Sequence, residues 1–347
     1  MIEIRSFDPF GATEAEWAQY HAFRRIRAEE DDPAEPVAAD ADFADDARKH
    51  RALYEMPRFV AWAGGAIVGN VGLWLRREGT PDYAAYAPYA YVWGGVVRPW
   101  RRRGVGTALV ARLLGFMQAR GKSTVTFGVQ HPEGHAFLTA IGAIEKHRSV
   151  TYRLDLRGLD WDELARWEAA AIPPGSDLTW EIHAGRVPAE RLGALQPQLT
   201  ALLADVPMGA LERPPIRYEL RNYLSWYDDM DRRGGAHILV LLMHGETVAG
   251  MSEASWDART PERVHQELTA VARAWRGRGL AKGLKAATLR LVRDRHPQTR
   301  LMSTSNAEAN APILAINDRL GFKEYRRDSN YQVGQQELGR WLATRSS

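Results

Sequence analysis

The stretch Ala274-Trp275-Arg276-Gly277-Arg278-Gly279-Leu280-Ala281-Lys282 decides how the rest of the 347-residue chain is read. Residues 264–271 before it alternate apolar and polar, which predicts a strand. After it Leu280, Leu284, Ala287 and Leu291 recur at spacings of four, three and four, one face of a helix. A strand that feeds a helix through glycines makes a place for an anion. The first N–H groups of a helix lack internal partners, and the helix dipole turns its positive end toward them. Gly277 and Gly279 let a ligand approach the backbone closely or let φ turn positive. Arg276 and Arg278 add charge suited to a phosphate.

A basic glycine turn is often only a solvated connection, so recurrence matters. Pro99-Trp100-Arg101-Arg102-Arg103-Gly104-Val105-Gly106-Thr107 repeats the grammar. A strand-like segment, 89–97, precedes it, and Val105, Leu109, Leu113 and Met117 share a helix face after it. Trp100 aligns with Trp275, Arg101 with Arg276, Arg103 with Arg278 and Gly104 with Gly279, an offset of 175 residues, about half the chain. A repeat of this size governs the whole architecture.

Both copies fit the pattern Gln/Arg-x-x-Gly-x-Gly/Ala, and the chain resembles the GCN5-related N-acetyltransferases, in particular the tandem acetyltransferases of actinobacteria. The resemblance implies a mixed α/β (α+β) fold of two tandem acyl-CoA N-acyltransferase modules. Each would hold a mostly antiparallel sheet with splayed central strands, flanked by helices. It also implies acetyl-CoA as acyl donor, its pyrophosphate on the turn and its pantetheine arm between the splayed strands. The cofactor-binding positions it implies in the second half are Val271, Arg273, Arg276, Gly277, Arg278, Gly279, Leu280, Ala281, Lys282, Asn306 and Asn310. In the first half they are Val97, Arg101, Arg102, Arg103, Gly104, Val105, Gly106 and Thr107.

Bulk properties agree with two ordinary globular domains. Hydrophobic residues make up 45% and charged residues 26%, enough for two cores and too balanced for wholesale disorder. A net charge of +3 with arginine gathered in the turns argues against a broad nucleic-acid face. The absence of cysteine excludes disulfides and thiolate metal sites. The N-terminus has no signal-peptide pattern and no apolar run nears the ~20 residues a membrane helix needs, so a soluble cytoplasmic protein is expected.

Taken in order, residues 2–7 predict a strand and 14–28 a helix. The acidic stretch 29–46, broken by Pro33 and Pro36, predicts a solvated loop, or else a lid over a cationic substrate. Segments 58–63 and 66–75, joined by Gly64-Gly65, predict a hairpin, and 237–243 with 247–256 predict its copy. Strands are expected at 124–129 and 299–304, short glycine-capped helices at 137–141 and 313–320, and closing strands at 147–156 and 325–333. This gives an N-terminal module at 1–157, a linker at 158–177 containing a short helix-like segment, 161–171, and then Pro173-Pro174-Gly175-Ser176, and a C-terminal module at 178–347. Residues 187–203 predict a further helix.

Acetyl transfer from a thioester needs an amine that loses a proton, a polarised carbonyl and a thiolate that leaves. Glu267 lies on the strand before the second turn, and the family often uses a glutamate there as base. Alternation places it on the face of Thr269 and Val271, and the 175-residue offset pairs it with Val92. The run 304–310, with Asn306 and Asn310, resembles the family's second motif, whereas 129–134 in the first half has no asparagine. The resemblance therefore makes the second module catalytic and the first degenerate. Many relatives carry a tyrosine where this chain has Asn317, leaving Tyr325 and Tyr331 as alternative acids. His131 and His135 lie in a Pro- and Gly-containing segment, so no metal site is expected. The readings are an N-acetyltransferase acting on a primary amine of a small molecule, an acyl-CoA-binding module without turnover, and an enzyme resembling mycothiol synthase. No nucleic-acid or membrane partner is expected, and the chain would be a monomer or homodimer. An acidic acceptor site (29–46, 205–211, Asp228, Asp229) would suit a cationic amine.

Overall fold

The structure is a computed structural model that describes residues 1–49, 53–80 and 82–345. The first half holds β1 (Glu3–Ser6), α1 (Glu14–Asp31), α2 (Asp40–Arg48), β2 (Tyr54–Glu55), β3 (Arg58–Ala63), β4 (Ala66–Arg76), α3 (Tyr83–Tyr86), β5 (Tyr89–Val96), α4 (Val105–Ala119), β6 (Thr124–Val129), α5 (Pro132–Ala140) and β7 (Ile144–Asp155). The second holds α6 (Trp161–Ala170), β8 (Leu178–Ala184), α7 (Ala189–Ala204), α8 (Leu220–Arg232), β9 (Ala236–His244), β10 (Thr247–Trp256), β11 (Arg263–Val271), α9 (Leu280–Arg295), β12 (Leu301–Ala307), α10 (Ala311–Leu320), β13 (Lys323–Gly334) and α11 (Gln335–Ala343).

These elements form two compact units. The first comprises Met1–His147, Ala210–Pro214 and Ser329–Ser347; the second comprises Arg148–Gly209 and Pro215–Asp328. Neither is a contiguous half of the sequence. In the first unit the strand order is β1-β3-β4-β5-β6, and the last strand takes residues 329–334 of β13 as its antiparallel neighbour. In the second the order is β8-β9-β10-β11-β12, and β12 pairs along residues 149–155 of β7. Each unit thus receives its closing strand from the other half of the chain. Among the pairs within each unit that the described residues give, two run parallel, β5 with β6 and β11 with β12.

In the first unit α1 buries Trp17, Tyr20 and Phe23, and α4 buries Leu109, Leu113 and Met117. Thr13 and Glu16 cap α1 reciprocally, as a Thr-x-x-Glu sequence allows. In the second unit β9 is apolar on both faces because both are covered. Ile238, Val240 and Leu242 meet α6 and α9, while Leu239, Leu241 and Met243 meet α7 and α8. Leu284 of α9 is fully buried there, and truncating such a leucine to alanine costs roughly 2–5 kcal/mol.

One expectation is corrected. The acidic stretch is not one loop: α1 runs on to Asp31, and α2 forms within it because Phe43, Ala44 and Ala47 pack on the core while its aspartates face out. Helix α8 was not legible as a helix, since its core contacts are tyrosine and methionine rather than a leucine stripe. Helix α6 forms where the helix-like segment 161–171 is expected, and it is a core element: Leu164, Trp167 and Ala171 pack against α9, and a side chain on Gly283 would strike Ala171.

Candidate functional site

Each glycine turn keeps the shape the sequence predicts. A short 3₁₀ turn (Arg98–Trp100 or Arg273–Trp275) ends each strand, and a glycine in the left-handed region, Gly104 at φ +83° or Gly279 at +78°, opens each helix. Neither helix has a side-chain cap, so its first N–H groups remain available to an anion. Among the described residues nothing lies within 4 Å of where a Cβ would stand on Gly104, Gly277 or Gly279. Gly277 has φ +79°, and its counterpart Arg102 holds φ +61°. An arginine tolerates that region only at a cost, so the first turn retains its shape against local preference.

The turn arginines divide into two roles. Arg276 donates from Nε to the Val271 carbonyl (3.0 Å) and from Nη2 to Asp205 (2.7 Å). Arg101 donates to the Val96 carbonyl (3.0 Å) and to Glu30 (3.1 Å), the same pair of contacts. Both brace the turn against the strand end and a preceding helix. Arg273 also binds Asp205, whose carboxyl the Arg273 hydrogen bonds hold below its usual range. Arg278 and Arg103 lie over Trp275 and Trp100 and are exposed. Lys282 sits over Trp167, and Leu280 and Val105 are buried anchors. Val97 is buried, and Ala281, Gly106 and Thr107 are half-buried on the first helical turns; Phe137 closes over Gly106.

Beyond the turns the parallel strands part. The β11–β12 register ends at the pair His265–Ser303, and the β5–β6 register ends at Val92–Phe127. Past those pairs, among the described residues, neither parallel ladder continues, and backbone groups of that kind can bond to an extended ligand arm.

The two partings differ by one residue. Against β10, Glu253 pairs with Leu268 and Ala254 with Gln266, so Glu267 is an inserted residue in a β-bulge. Against β4, Gly72 pairs with Trp93 and Leu73 with Val92 without interruption. Val92 therefore corresponds to Gln266, and Glu267 has no counterpart in β5. This corrects the constant 175-residue offset, which holds only from Leu268 onward. It also corrects the predicted face of Glu267, because alternation does not carry through a bulge. Glu267 lies with His265, its Oε2 3.6 Å from His265 Nε2, and accepts from Ser255 Oγ at 2.6 Å. His265 Nδ1 in turn meets Ser303 Oγ at 3.0 Å. The Glu267 side chain is 39% exposed, so a ligand can reach it.

The sequence pattern of the Acetyltransferase (GNAT) family matches residues 17–142 and 201–322, one match per copy of the turn. The chain belongs to the GNAT acetyltransferase family. It is an enzyme of the N-acetyltransferase, and so acyltransferase, class. Among solved structures it is similar to a tandem GNAT protein from the clavulanic acid biosynthesis pathway, at 25% identity and a TM-score of 0.74, covering 96% of this chain and 99% of that one. It also resembles in fold a GCN5-related N-acetyltransferase from Sphaerobacter thermophilus (18% identity, TM-score 0.64, 96% of each chain). Comparison with curated proteins finds no match. GNAT enzymes in general use an acyl-CoA donor, and the open glycine cradles and parted strands fit one.

The second GNAT module carries a buried acid that sequence reasoning missed. Glu253, 4% exposed, accepts from Tyr218 (2.5 Å), Tyr223 (3.1 Å) and His237 Nε2 (2.8 Å), and Tyr227 meets His237 Nδ1 at 2.8 Å. Burial pushes its carboxyl up, but the bonds from His237 and the two tyrosines outweigh burial and hold it below its usual range. Burial, with Glu253 beside them, pushes the Tyr218 and Tyr223 hydroxyls well up. The first GNAT module has Gly72 at that place, covered by the Trp93 indole.

Asn310 precedes α10 without a side-chain cap bond, and Asn306 Oδ1 accepts from Asn317 Nδ2 at 2.8 Å. Asn317 is 1% exposed and its own Oδ1 has no partner among the described residues, an acceptor left open beside β12. Tyr331 belongs to the first unit, bonded to His135 Nδ1 at 3.0 Å, and Tyr325 lies under the Arg153 guanidinium. His131 faces Asp31, and the described residues hold no cluster of three metal-ligating side chains. The acids expected to favour a cation are held in ion pairs: Asp205 by Arg273 and Arg276, Asp228 by Arg186, Asp229 by Arg232 and Arg233. Among the described residues no helix is long and apolar enough to cross a membrane.

Proposed function

We propose that the second module transfers an acetyl group from acetyl-CoA to a primary amine of a small molecule, with Glu267 as the general base. The observation that carries this reading is the inserted Glu267 at the parting of β11 and β12, absent from β5. A bulge beside a parted strand is a means of re-aiming one side chain. The Glu267 carboxylate takes a proton from the acceptor ammonium or its attacking amine. The nitrogen then bonds to the thioester carbon, the C–S bond breaks, and the electron pair leaves on sulfur. The turn at Gly277, Arg278, Gly279, Leu280 and Ala281 holds the pyrophosphate through backbone N–H groups. Asn306 and Asn310 meet the pantetheine arm. In this reading Arg276 acts by bracing the turn.

The first module retains the turn and lacks the glutamate and asparagines, which supports acyl-CoA binding without turnover there. The test is CoA release with a thiol reagent across a panel of amines; the protein has no cysteine to add background. Glu267→Gln should lower kcat at least 100-fold with acetyl-CoA affinity within about twofold. Unchanged turnover in that variant would remove Glu267 as the base.

A further inference from the structure

Lys285 of α9 is 1% exposed and has no carboxylate partner among the described residues. Its Nζ donates to Gln266 Oε1 at 2.7 Å, and the Phe322 ring lies 5.1 Å away. Gln266 Nε2 continues the chain, donating to Ser252 Oγ (2.9 Å) and Thr269 Oγ1 (2.8 Å), which meet each other at 3.1 Å. The Gln266 carbonyl accepts from Thr304 Oγ1 at 3.1 Å, across the parting to β12. One buried network therefore ties α9, β10, β11 and β12 together, and it grips β11 on both sides of Glu267.

The first module shows what this site looks like without the network. Strand registers align Gln266 with Val92, Ser252 with Val71 and Thr269 with Gly94. The turn offset aligns Lys285 with Val110. Val71, Val92 and Val110 are all buried in an ordinary apolar core, and β5 there has no bulge. A fully buried lysine in place of a core valine is costly unless something is gained. The polar set and the inserted glutamate occur together in one module and are absent together from the other. A bulge leaves one residue out of the ladder, so its geometry must be fixed by side chains.

We propose that Lys285 is a positioning residue: through Gln266 it fixes the bulge that aims Glu267 at the parted strands. This rests on the reading of Glu267 as base. Burial alone pulls the Lys285 amine down to about 7, which suits a neutral donor to an amide oxygen in an apolar site.

The experiment compares Lys285→Met, Gln266→Leu, Glu267→Gln and the double variant Lys285→Met/Glu267→Gln in the full chain. For Lys285→Met, kcat should fall 10- to 100-fold while the dissociation constant for acetyl-CoA stays within about twofold. Gln266→Leu should behave alike. The double variant should be no slower than Glu267→Gln alone, because the lysine acts only through the glutamate. Amide hydrogen exchange of residues 266–269 should quicken at least tenfold in Lys285→Met, a readout independent of turnover. Normal kcat with unchanged exchange would overturn the inference even if Glu267→Gln is inactive. Losses that multiply in the double variant would also overturn it. No turnover by the wild type, or normal turnover by Glu267→Gln, would sink the base reading instead, and the exchange experiment then decides whether Lys285 holds the bulge.

Discussion

Strands β5 and β11 are one strand built twice, and they differ by a single inserted residue. β5 runs in unbroken register beside β4, with valines packed beneath it and Trp93 lying over Gly72. β11 carries Glu267 in a bulge, with Lys285, Gln266, Ser252 and Thr269 on one side and the Glu253 cluster under its partner strand on the other. The glycine turns that follow are nearly superposable in their contacts: Arg101 and Arg276, Glu30 and Asp205, Val96 and Val271 repeat one arrangement. The comparison separates two requirements. Holding an anion needs only backbone and a few braces, which either copy can keep. Aiming a carboxylate needs a local defect and a polar scaffold, which only one copy has.

The sharpest way to break this contrast is to delete Glu267, giving β11 the register of β5. Acetyl transfer should fall 10²- to 10⁴-fold, the range for a lost acid–base group, with circular dichroism and acyl-CoA affinity retained. A deletion variant that turns over normally would show the bulge to be incidental.

A second prediction concerns pH. The buried Lys285 amine has its folded-state value lowered to about 7, well below the ~10.4 of an exposed lysine. Between those values the unfolded chain binds a proton that the folded chain does not, so stability rises with pH across that window. Below about 7 both states are protonated and the full penalty of the buried charge is present. Lys285→Met should abolish this slope. Denaturant unfolding at pH 7 and pH 10 should show wild type gaining on the variant by on the order of 3 kcal/mol. A parallel pH dependence in the two proteins would place the proton elsewhere.

Calorimetric titration tests the anion-holding half of the comparison. Gly279→Val forces a β-branched residue to φ +78°, a cost on the order of 1–3 kcal/mol, so acetyl-CoA affinity in the second module should drop about 10- to 100-fold. Gly104→Val should remove a second binding event if the first turn is still used. A one-site isotherm in the wild type, insensitive to Gly104→Val, would make the first turn a relic. The smallest effect is expected from Arg102→Gly. It relieves a left-handed arginine at the expense of a freer unfolded chain, a net stabilisation of at most about 1 kcal/mol, visible as a small rise in Tm.

The duplicated hairpin, parallel pair, glycine turn and helix were all legible, because each rests on local periodicity and on residues with strong backbone preferences. The face of Glu267 was not legible, since one inserted residue reverses alternation and leaves no mark in a single sequence. The Glu253 cluster was hidden because its members come from separate elements, Tyr218 ahead of α8, Tyr223 and Tyr227 on it and His237 on β9, and no local pattern links them. Lys285 carried a readable signal: it falls among the buried positions of α9, and the repeat sets it against Val110. The assignment of β7 and β13 to units was out of reach, because a strand's pattern fixes which face it buries but not which neighbour it joins.

That placement has a consequence for how the chain comes into being. On a ribosome the first module emerges early, yet β6 has no antiparallel neighbour until residues 329–334 are made, and β7 must wait for β12. For most of translation an unsatisfied strand edge is exposed, the kind of edge that recruits other chains. Completion of the first module's sheet therefore waits on residues 329–334, and their removal should damage the first module before the second.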